Sequence, residues 1–387
     1  MRKSALVIFG LVVAAIVALG LVILATASEA NAVKLHHGDA YFFMKRQFVY
    51  AAIGVVVAII VSSIDYHIWR DRPWITWTFG AIVFLLLLAV FPPFGRMING
   101  SYRWINLGPV NLQPSEFAKL ATVLLLSVCL DRAGWRVELF KQGALGPMAI
   151  LAVLALPVML EPDFGSTMVV GLSGIVIMVI AGVRLMHMLP FVGVGAIAFI
   201  YRVATNANRM ARLYSFFGIK TEEGGVEVMS ESAKRALYQV NQALVAIGNG
   251  GYTGVGLNQS MQKQYYLPEA HTDFIFAIGA EELGLGFSLG TMALFMLFFG
   301  FAVYIAYRAA DRFGRFLAMG MSFIIFFQAM FNIGVVCKAL PTKGMALPFF
   351  SYGGTNMLSA FFAVGIIFSV GIHAANSGRK RRKGHHG

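Results

Sequence analysis

Charged side chains are scarce in this chain of 387 residues, where Asp, Glu, Lys and Arg together make up 13%. Soluble domains carry about 25%, so the composition excludes a soluble globular fold. Hydrophobic residues reach 58%, and the mean hydropathy is +0.73. This composition predicts several spans of about 20 apolar residues each, and therefore an integral membrane protein.

Cysteine is also scarce, with only Cys129 and Cys337 in the sequence. Each lies in an apolar stretch, and the topology described below puts them toward opposite membrane faces. This arrangement excludes a disulfide framework, and the spacing does not indicate a metal site.

Acidic residues number 18 against 31 Lys and Arg, which gives a net charge of +13. In a soluble chain this excess would suggest nucleic-acid binding. Here five of the positive charges form one run at residues 379–383, directly after an apolar segment. That placement predicts a basic cytoplasmic tail over residues 375–387 and no nucleic-acid partner.

Ten apolar segments predict an all-α integral membrane protein with ten transmembrane helices in a single domain, residues 1–387. The segments lie near 5–27, 47–64, 74–92, 115–130, 144–160, 165–183, 187–203, 274–306, 316–337 and 353–374. The first resembles a signal peptide, but it is longer than the ~7–15 residues of a signal core, which favours a retained helix. An even number of spans puts both termini on one side, and the Lys and Arg residues of the short loops favour the cytoplasm.

The longest polar region, residues 204–272, is then one large extracytoplasmic loop between the seventh and eighth spans. Within it, Leu237, Val240, Leu244 and Ile247 recur at helical spacing. They predict a helix with one apolar stripe, which suits either the outer membrane surface or a core inside the loop.

The few charges inside or beside the spans are the most informative residues. A charge at the bilayer centre costs a few kcal/mol, so it usually faces a cavity or a partner. The residues are Arg103, Glu116, Lys119, Glu161, Asp163, Asp273, Lys338 and Lys343, with Glu281 and Glu282 at the start of the eighth span. Because most of them map to the outer boundary, we predict an outward-facing polar cavity with charges of both signs.

Several of these residues also allow a purely structural interpretation. Glu116 and Lys119 are three residues apart on one helix face, where they can neutralise each other. Asp163 can cap the sixth helix, and Thr272 or Asp273 can cap the eighth. The sequence leaves both interpretations open.

The stretch 341–354, between the last two spans, is broken by Pro and Gly. Non-helical backbone at membrane depth is tolerated where it is buried in protein or lines a water-filled cavity. Lys343, Ser351 and the amides of Gly353 and Gly354 are candidates to hold an anionic group such as a pyrophosphate. The alternative is a tight external turn.

Asp273 is the candidate general base. It ends the large loop, with Glu269 and His271 close in sequence. A helix N-terminus lowers the pKa of a carboxyl group, whereas apolar surroundings and neighbouring carboxylates raise it. A carboxylate held between these influences suits proton abstraction.

Several long motifs follow one another along nearly the whole chain. They are residues 99–105, 112–119, 161–166, 267–277, 281–284 and 351–354. In order and spacing they resemble the SEDS family of bacterial cell-wall polymerases, and residues 268–273 and 340–344 are more similar to its division member than to its elongation member. The departures are small: Phe164-Gly165-Ser166 stands where Leu-Gly-Thr is commoner, and Thr355-Asn356 where a Ser pair often occurs.

The resemblance implies a ten-helix glycosyltransferase that polymerises lipid II at the outer face of the cytoplasmic membrane. In this family the carboxylate matching Asp273 is regarded as essential, and it would deprotonate the 4-hydroxyl of the acceptor N-acetylglucosamine. That oxygen would attack C1 of the donor N-acetylmuramic acid and expel undecaprenyl pyrophosphate. An α-linked donor and a β-1,4 product imply inversion.

The resemblance also implies charge compensation for the leaving pyrophosphate, assigned to Arg103, Lys119 and Lys343. Glu116 and Asp163 would orient these residues or bind a divalent cation, with Mg²⁺ and Mn²⁺ both open and no cofactor certain. The other substrate-binding candidates are Trp104, Glu161, Glu269, His271 and Ser351.

The partners implied by the resemblance are a class B penicillin-binding protein, which is a transpeptidase, and other membrane proteins of the division machinery. The implied location is the division septum. A lipid II flippase, an elongation polymerase and a non-catalytic scaffold are the alternative functions. A central charged cavity is expected of a transporter too, but charges gathered toward one face favour chemistry at that face.

Overall fold

A computed structural model describes residues 3–35, 38–90, 95–98, 101–106, 111–161, 163–205, 207–217, 222–223, 226–227, 231–264, 266–341 and 344–383. Over these residues the chain is almost wholly α-helical, which confirms the predicted class. The helices are α1 (Lys3–Leu35), α2 (Phe42–Ser63), α3 (Arg72–Val90), α4 (Pro114–Ala133), α5 (Gly146–Leu160), α6 (Phe164–Ala181), α7 (Leu185–Ala204), α8 (Ala207–Phe217), α9 (Glu231–Gly250), α10 (Ile275–Tyr307), α11 (Arg312–Val336) and α12 (Gly354–Lys383).

The other described elements are two 3₁₀-helices (Tyr66–Arg70 and Gly134–Glu138), a π-helix (Phe140–Leu145) and two small antiparallel sheets. The strands are β1 (Gly95–Ile98), β2 (Ser101–Asn106), β3 (Asn111–Leu112), β4 (Glu222–Glu223) and β5 (Val226–Glu227). The first three form one sheet in chain order, and the last two form a hairpin inside the large loop. The three-stranded sheet matters for function because β2 carries Arg103 and Trp104.

Eight helical segments among the described residues are long and apolar enough to cross a membrane. They are α1, α2, Phe140–Leu160 (which includes α5), α6, α7, α10, α11 and α12 up to Asn376. The other two predicted spans coincide with α3, whose apolar part is short (Trp77–Leu88), and with α4, which carries both Glu116 and Lys119. The protein is therefore a multi-pass membrane protein, whereas the count of ten spans stays a prediction.

Side-chain contacts assign the loops to two ends of the helix bundle. At one end, Ser351 Oγ donates to the carbonyl of Thr272 (2.6 Å), joining the stretches that precede α12 and α10. The contacts at the other end are Tyr66–Asp311, Arg70–Asp131, Arg184–Glu138, Arg312–Ala181 and His373–Asp65. Successive long helices therefore run in opposite directions. We call the end that contains Asp273 the site end.

The centre of the bundle is formed by α11 and α12, and its edge by α7. In the apolar windows of α11 and α12, 72% of residues are buried, against 6% in α7. The rings of Phe9, Phe298 and Phe368 meet between α1, α10 and α12, with centroids 5.3 and 5.1 Å from that of Phe9. The segments that hold the site are thus attached to the most rigidly packed helices.

The predicted helix of the large loop is α9, and it packs on the protein. Its buried stripe consists of Ala236, Val240, Ala243 and Ala246, while Leu237, Leu244 and Ile247 are half-buried. The stripe contacts α10, with α8 alongside. Small side chains allow the two helices to approach closely, so the packed interpretation holds, with α10 as the partner rather than a core confined to the loop.

Helix α10 is interrupted at Gly284, where φ is 70°. A Cβ atom there would come within 2.5 Å of the amide nitrogen of Gly254, so both the dihedral angle and the contact require glycine. The amides of Val255 and Gly256 donate to the carbonyls of residues 281 and 282, each at 3.0 Å. The stretch 250–264 therefore satisfies backbone groups that the break releases.

Glu281 and Glu282 belong to this break. The Glu281 carboxylate accepts from Ser260 Oγ and from the amide of Gln262, and Glu282 pairs with Lys263 at 3.3 Å. Both carboxylates are buried. These two acidic residues of the eighth span stabilise the junction between α10 and the loop.

Candidate functional site

Asp273 lies in the turn that leads into α10. The amides of Thr272 and Phe274 donate to the carbonyl of Glu269, at 3.1 and 3.2 Å, and Thr272 Oγ1 donates to the Glu269 carboxylate at 2.7 Å. Helix α10 begins after Phe274, and no side chain caps it. The capping interpretation of Thr272 and Asp273 is therefore wrong, and the Asp273 carboxylate accepts no hydrogen bond within the described part of the chain.

The stretch 344–353 runs directly beside this turn. Ser351 Oγ donates to the carbonyl of Thr272, and the amide of Tyr352 donates to the carbonyl of His271 at 3.1 Å. Leu347, Phe349, Phe350 and Ser351 are buried. The stretch is thus non-helical backbone enclosed by protein rather than an exposed turn. Lys343, which was predicted to hold an anionic group here, lies outside the described residues.

Gln47 of α2 fixes the same stretch from the other side. Its side-chain amide donates to the carbonyl of Ser351 (3.0 Å), and its oxygen accepts from the amide of Gly353 (3.1 Å). Gln47 is fully buried. Because the Gly353 amide is already bound, it is not available to an anion in this arrangement, and Ser351 Oγ likewise has structural partners.

Gly344 brings this stretch against the carboxylate of Asp273. A Cβ atom on Gly344 would lie 2.5 Å from Asp273 Oδ2. A Cβ atom on Gly165, at the start of α6, would lie 3.6 Å from Asp163 Oδ1 and 3.9 Å from the Gly344 carbonyl oxygen. The backbone at Gly344 therefore separates the two carboxylates, and any larger residue there would displace Asp273.

Asp163 caps α6, as its structural interpretation predicts. Its Oδ1 accepts from the amide of Ser166 at 3.1 Å. Its Oδ2 accepts from Ser166 Oγ (2.9 Å), Gln113 Nε2 (3.0 Å) and Ser115 Oγ (3.4 Å). These donors hold the Asp163 carboxylate in place, and its negative charge acts on Asp273 and Glu161.

Glu116 and Lys119 form a buried ion pair at 2.7 Å. Lys119 Nζ also donates to Gln328 Oε1 (2.9 Å), and Ser359 Oγ donates to Glu116 Oε2 (3.0 Å). The cavity beside the pair has a volume of about 10 Å³, room for one water and not for a sugar. Glu116 and Lys119 therefore neutralise each other, as the structural interpretation predicts, and Lys119 is not directed at a pyrophosphate.

Charges of both signs surround Asp273. Removal from water, with Glu269 and Asp163, raises its pKa to about 7, while Arg103 and Arg212 oppose the rise. Burial and the charge of Asp163 raise the pKa of Glu161 to about 9, opposed by Arg103. Asp273 is therefore placed to exchange a proton near neutral pH, whereas Glu161 holds its proton.

His271 is an uncharged neighbour of this group. Burial lowers its pKa, and Glu269 opposes the change. The ring lies 4.9 Å from that of Phe43, and its Nδ1 is 3.3 Å from Asn31 Nδ2. These contacts join the Asp273 turn to α1 and α2, so His271 shapes the site rather than carrying charge there.

Arg103 lies on β2, and its charge acts on Asp273 and Glu161, while Trp104 is the next residue of the strand. Arg103 Nε and Trp104 Nε1 are buried and have no hydrogen-bond partner within the described part of the chain. Buried donors are normally paired. The unpaired Nε of Arg103, whose charge acts on the site carboxylates, fits a bound ligand with oxygen acceptors.

Arg212 is the site residue that the sequence interpretation missed. It lies on α8, inside the large loop, and its charge acts on Asp273. The available signal was the strong segregation of polar and apolar residues along 207–217, which marks a helix with one polar face. The sequence does not indicate that Arg212 lies near Asp273, because a long stretch of the loop separates the two residues.

A divalent-cation site does not fit the carboxylates proposed for it. Asp163 and Glu116 use their oxygens to accept hydrogen bonds from Gln113, Ser166, Lys119 and Ser359. Within the described ranges no cluster of three or more His, Cys, Asp or Glu residues is arranged to hold a metal ion. We therefore assign no step of the chemistry to a metal.

Comparisons with known proteins agree with this geometry. The chain matches the family described as "Cell cycle protein", that of FtsW, RodA and SpoVE, over residues 6–376. It is 36% identical over 363 residues to the probable peptidoglycan glycosyltransferase FtsW of Trichlorobacter lovleyi, covering 93% of this chain and 91% of that protein.

Solved structures show the same fold. A chain from the work titled "Structural coordination of polymerization and crosslinking by a peptidoglycan synthase complex" aligns with a TM-score of 0.72 at 24% identity, covering 95% of this chain and 97% of that one. Thermus thermophilus RodA aligns with a TM-score of 0.65 at 25% identity, covering 94% and 95%. The chain thus belongs to the SEDS family of FtsW and RodA proteins, and within it is FtsW-like.

Proposed function

We propose that this protein is a peptidoglycan glycosyltransferase that polymerises lipid II, with Asp273 as the general base. The observation that carries the proposal is the setting of the Asp273 carboxylate, which lies against the Gly344 backbone with a pKa of about 7. A base works best when its pKa lies near the working pH. The name of the FtsW relative supplies the reaction class.

In the proposed reaction, Asp273 takes the proton of the acceptor's 4-hydroxyl as that oxygen forms a bond to C1 of the donor N-acetylmuramic acid. The bond from C1 to the phosphate oxygen breaks, and its electron pair leaves with undecaprenyl pyrophosphate. Attack on the face opposite the leaving group converts the α-linked donor into a β-1,4 product. The proton then passes from Asp273 to water.

The leaving pyrophosphate requires positive charge, which we assign to Arg103 and Arg212. Arg103 has a buried Nε donor without a partner among the described residues, and both arginines act on Asp273. A cation pre-positioned at the developing charge stabilises the transition state without reorganisation. Lys343 stays a candidate for the same role, and Trp104 Nε1 is a candidate donor to the sugar.

The setting of the reaction is also a proposal. Both termini would lie in the cytoplasm and the site end at the outer face of the inner membrane, at the division septum. The basic run at residues 379–383 supports this orientation. A class B penicillin-binding protein would cross-link the product, and the peptidoglycan synthase complex with the same fold supports such a pairing.

The test is polymerisation of lipid II by the purified full-length protein with its transpeptidase partner. We expect glycan chains from the wild type and a rate about 10²–10⁴-fold lower from Asp273→Asn, which is what a general base contributes. Arg184→Gln, which loses a surface ion pair at the opposite end, is the control. Polymerisation by Asp273→Asn within tenfold of wild type would refute the base. Lipid II scrambling without any polymer would support a flippase instead.

A further inference from the structure

Helix α11 presents two buried amide side chains, Gln328 and Asn332, one turn apart toward the stretch 344–353. Gln328 Nε2 donates to the carbonyl of Ala346 at 3.0 Å. Asn332 Nδ2 donates to the carbonyl of Met345 at 2.6 Å. Both side chains are almost completely buried, so these bonds form away from water, where an unpaired carbonyl is unfavourable.

Asn332 differs from Gln328, whose oxygen accepts from Lys119, in that its amide nitrogen also bonds to Asp273 itself. The same Nδ2 atom donates to the main-chain carbonyl of Asp273 at 2.8 Å. One side chain therefore joins the turn before α10 to the stretch before α12. The bond from Asn332 to Met345 lies one residue from Gly344, where the Asp273 carboxylate is close to the backbone.

The orientation of the Asn332 amide follows from these partners. A flipped amide would place its oxygen against two carbonyl oxygens, which repel it, so the nitrogen must face them. The amide oxygen Oδ1 is then buried with no partner within the described part of the chain. The side chain thus leaves its acceptor unpaired while its donor is used twice.

We infer that Asn332 is a positioning residue for Asp273, holding the base at the distance from the Gly344 backbone at which it meets the acceptor hydroxyl. Asn332 touches no reacting atom and acts through the main chain of Asp273. The inference rests on the proposed role of Asp273 as the base. A displacement of about 1 Å in such a group lowers turnover about a hundredfold.

A positioning role predicts a specific kinetic pattern for Asn332→Leu, which keeps the size of the side chain and removes the donor. We expect kcat for lipid II polymerisation to fall about 10- to 100-fold, with KM for lipid II changed little because the arginines remain. Release of the turn also admits water to Asp273. Since removal from water is the main cause of its raised pKa, the acidic limb of the pH–rate profile should move to lower pH.

Two variants of the same helix serve as controls. Gln328→Leu removes the other amide, which holds the stretch at Ala346 but does not contact Asp273. It should leave the acidic limb in place. Ser322→Ala removes a hydroxyl that bonds within α11, to the carbonyl of Met319, and should leave both kcat and the limb unchanged.

The experiment measures kcat, KM and the pH–rate profile for the full-length variants with the transpeptidase partner, together with their thermal midpoints. A loss of kcat with a shifted limb in Asn332→Leu alone supports the inference. An unchanged kcat, or a loss without any shift of the limb, overturns it. If Asn332→Leu does not fold, Asn332→Ser is measured in its place and judged by the same criteria. Activity of Asp273→Asn would instead refute the base, and so separates the two proposals.

Discussion

Two groups of charges at the site end differ in how they are compensated. Lys119 Nζ donates to Glu116 and Gln328, and Ser359 donates to Glu116, so each charge is matched by direct contacts. Asp273 accepts no hydrogen bond at its carboxylate within the described residues, and the charges of Arg103 and Arg212 only partly offset the rise of its pKa caused by burial and Glu269. The first group is neutralised, whereas the second is not.

The difference shows that burial alone does not identify a functional charge in a membrane protein. Both groups are charges that a bilayer disfavours, and both lie among the motifs that mark the family. What distinguishes Asp273 is incomplete compensation, which keeps its proton affinity near neutral pH. A buried charge whose partners contact it directly stabilises the fold, whereas a charge without such partners can take up or release a proton.

The largest expected effect is a difference in protein stability between variants of the two groups. Lys119→Met leaves Glu116 buried without its cation, and we expect it to lower the free energy of unfolding by about 3–5 kcal/mol. Asp273→Asn should not destabilise the protein, because it removes a carboxylate that is poorly solvated. Denaturant unfolding in mixed micelles measures both.

The double variant Lys119→Met/Glu116→Gln is the control for this contrast. It removes both charges together, so most of the lost stability should return. Equal destabilisation by Lys119→Met and Asp273→Asn would contradict the distinction between the two groups.

An intermediate effect is expected at Gly344. In Gly344→Ala the new Cβ atom would stand 2.5 Å from Asp273 Oδ2, and the carboxylate must move. We expect a loss of polymerisation rate of about 10- to 100-fold with little change in the thermal midpoint. The matched control is Gly171→Ala in α6, where a Cβ atom meets nothing within 4 Å. Wild-type rates from Gly344→Ala would show that the contact does not set the position of the base.

The smallest expected effect concerns pH. Asp273 accepts a proton only when ionised, so the polymerisation rate should fall about tenfold per pH unit below its pKa of about 7. Glu269 raises that pKa through its negative charge. In Glu269→Gln the acidic limb should therefore move to lower pH, by less than one unit.

Glu138→Gln is the control for the pH profile. Glu138 pairs with Arg184 at the opposite end of the bundle, on the surface, and its loss should leave the limb in place. A limb that stays at the wild-type pH in Glu269→Gln would mean that Glu269 does not act on Asp273 in solution.

The helical class and the predicted segments followed from hydropathy, because a bilayer requires long apolar helices with internally bonded backbone. Asp273 was also predictable, since it ends the large loop at the start of an apolar span. The sequence offered both a structural and a functional interpretation of Lys119 and Asp163 and could not choose between them, because their further partners Gln328 and Gln113 come from distant parts of the chain. Nothing local distinguishes a cation directed at a ligand from one matched by protein.

Arg212 and Asn332 were missed for a related reason. Arg212 is one of several basic residues in a long loop, and Asn332 is one of a few polar residues in an apolar helix. Their importance lies in what they meet, Asp273 in both cases. Single-sequence reasoning identifies residue types and local periodicity, but contacts across sixty residues are outside its reach.

The bond between Asn332 and Asp273 also links the position of Asp273 to the length of α11. At a rise of 1.5 Å per residue, Asn332 stands about 30 Å along α11 from Arg312, which equals the thickness of the hydrocarbon core. In the proposed orientation, Arg312 would lie at one membrane boundary and the Asp273 turn at the other. In the proposed reaction, a sugar chain from water and a phosphate still attached to its lipid would meet at that plane, and the length of α11 would set its distance from the opposite boundary.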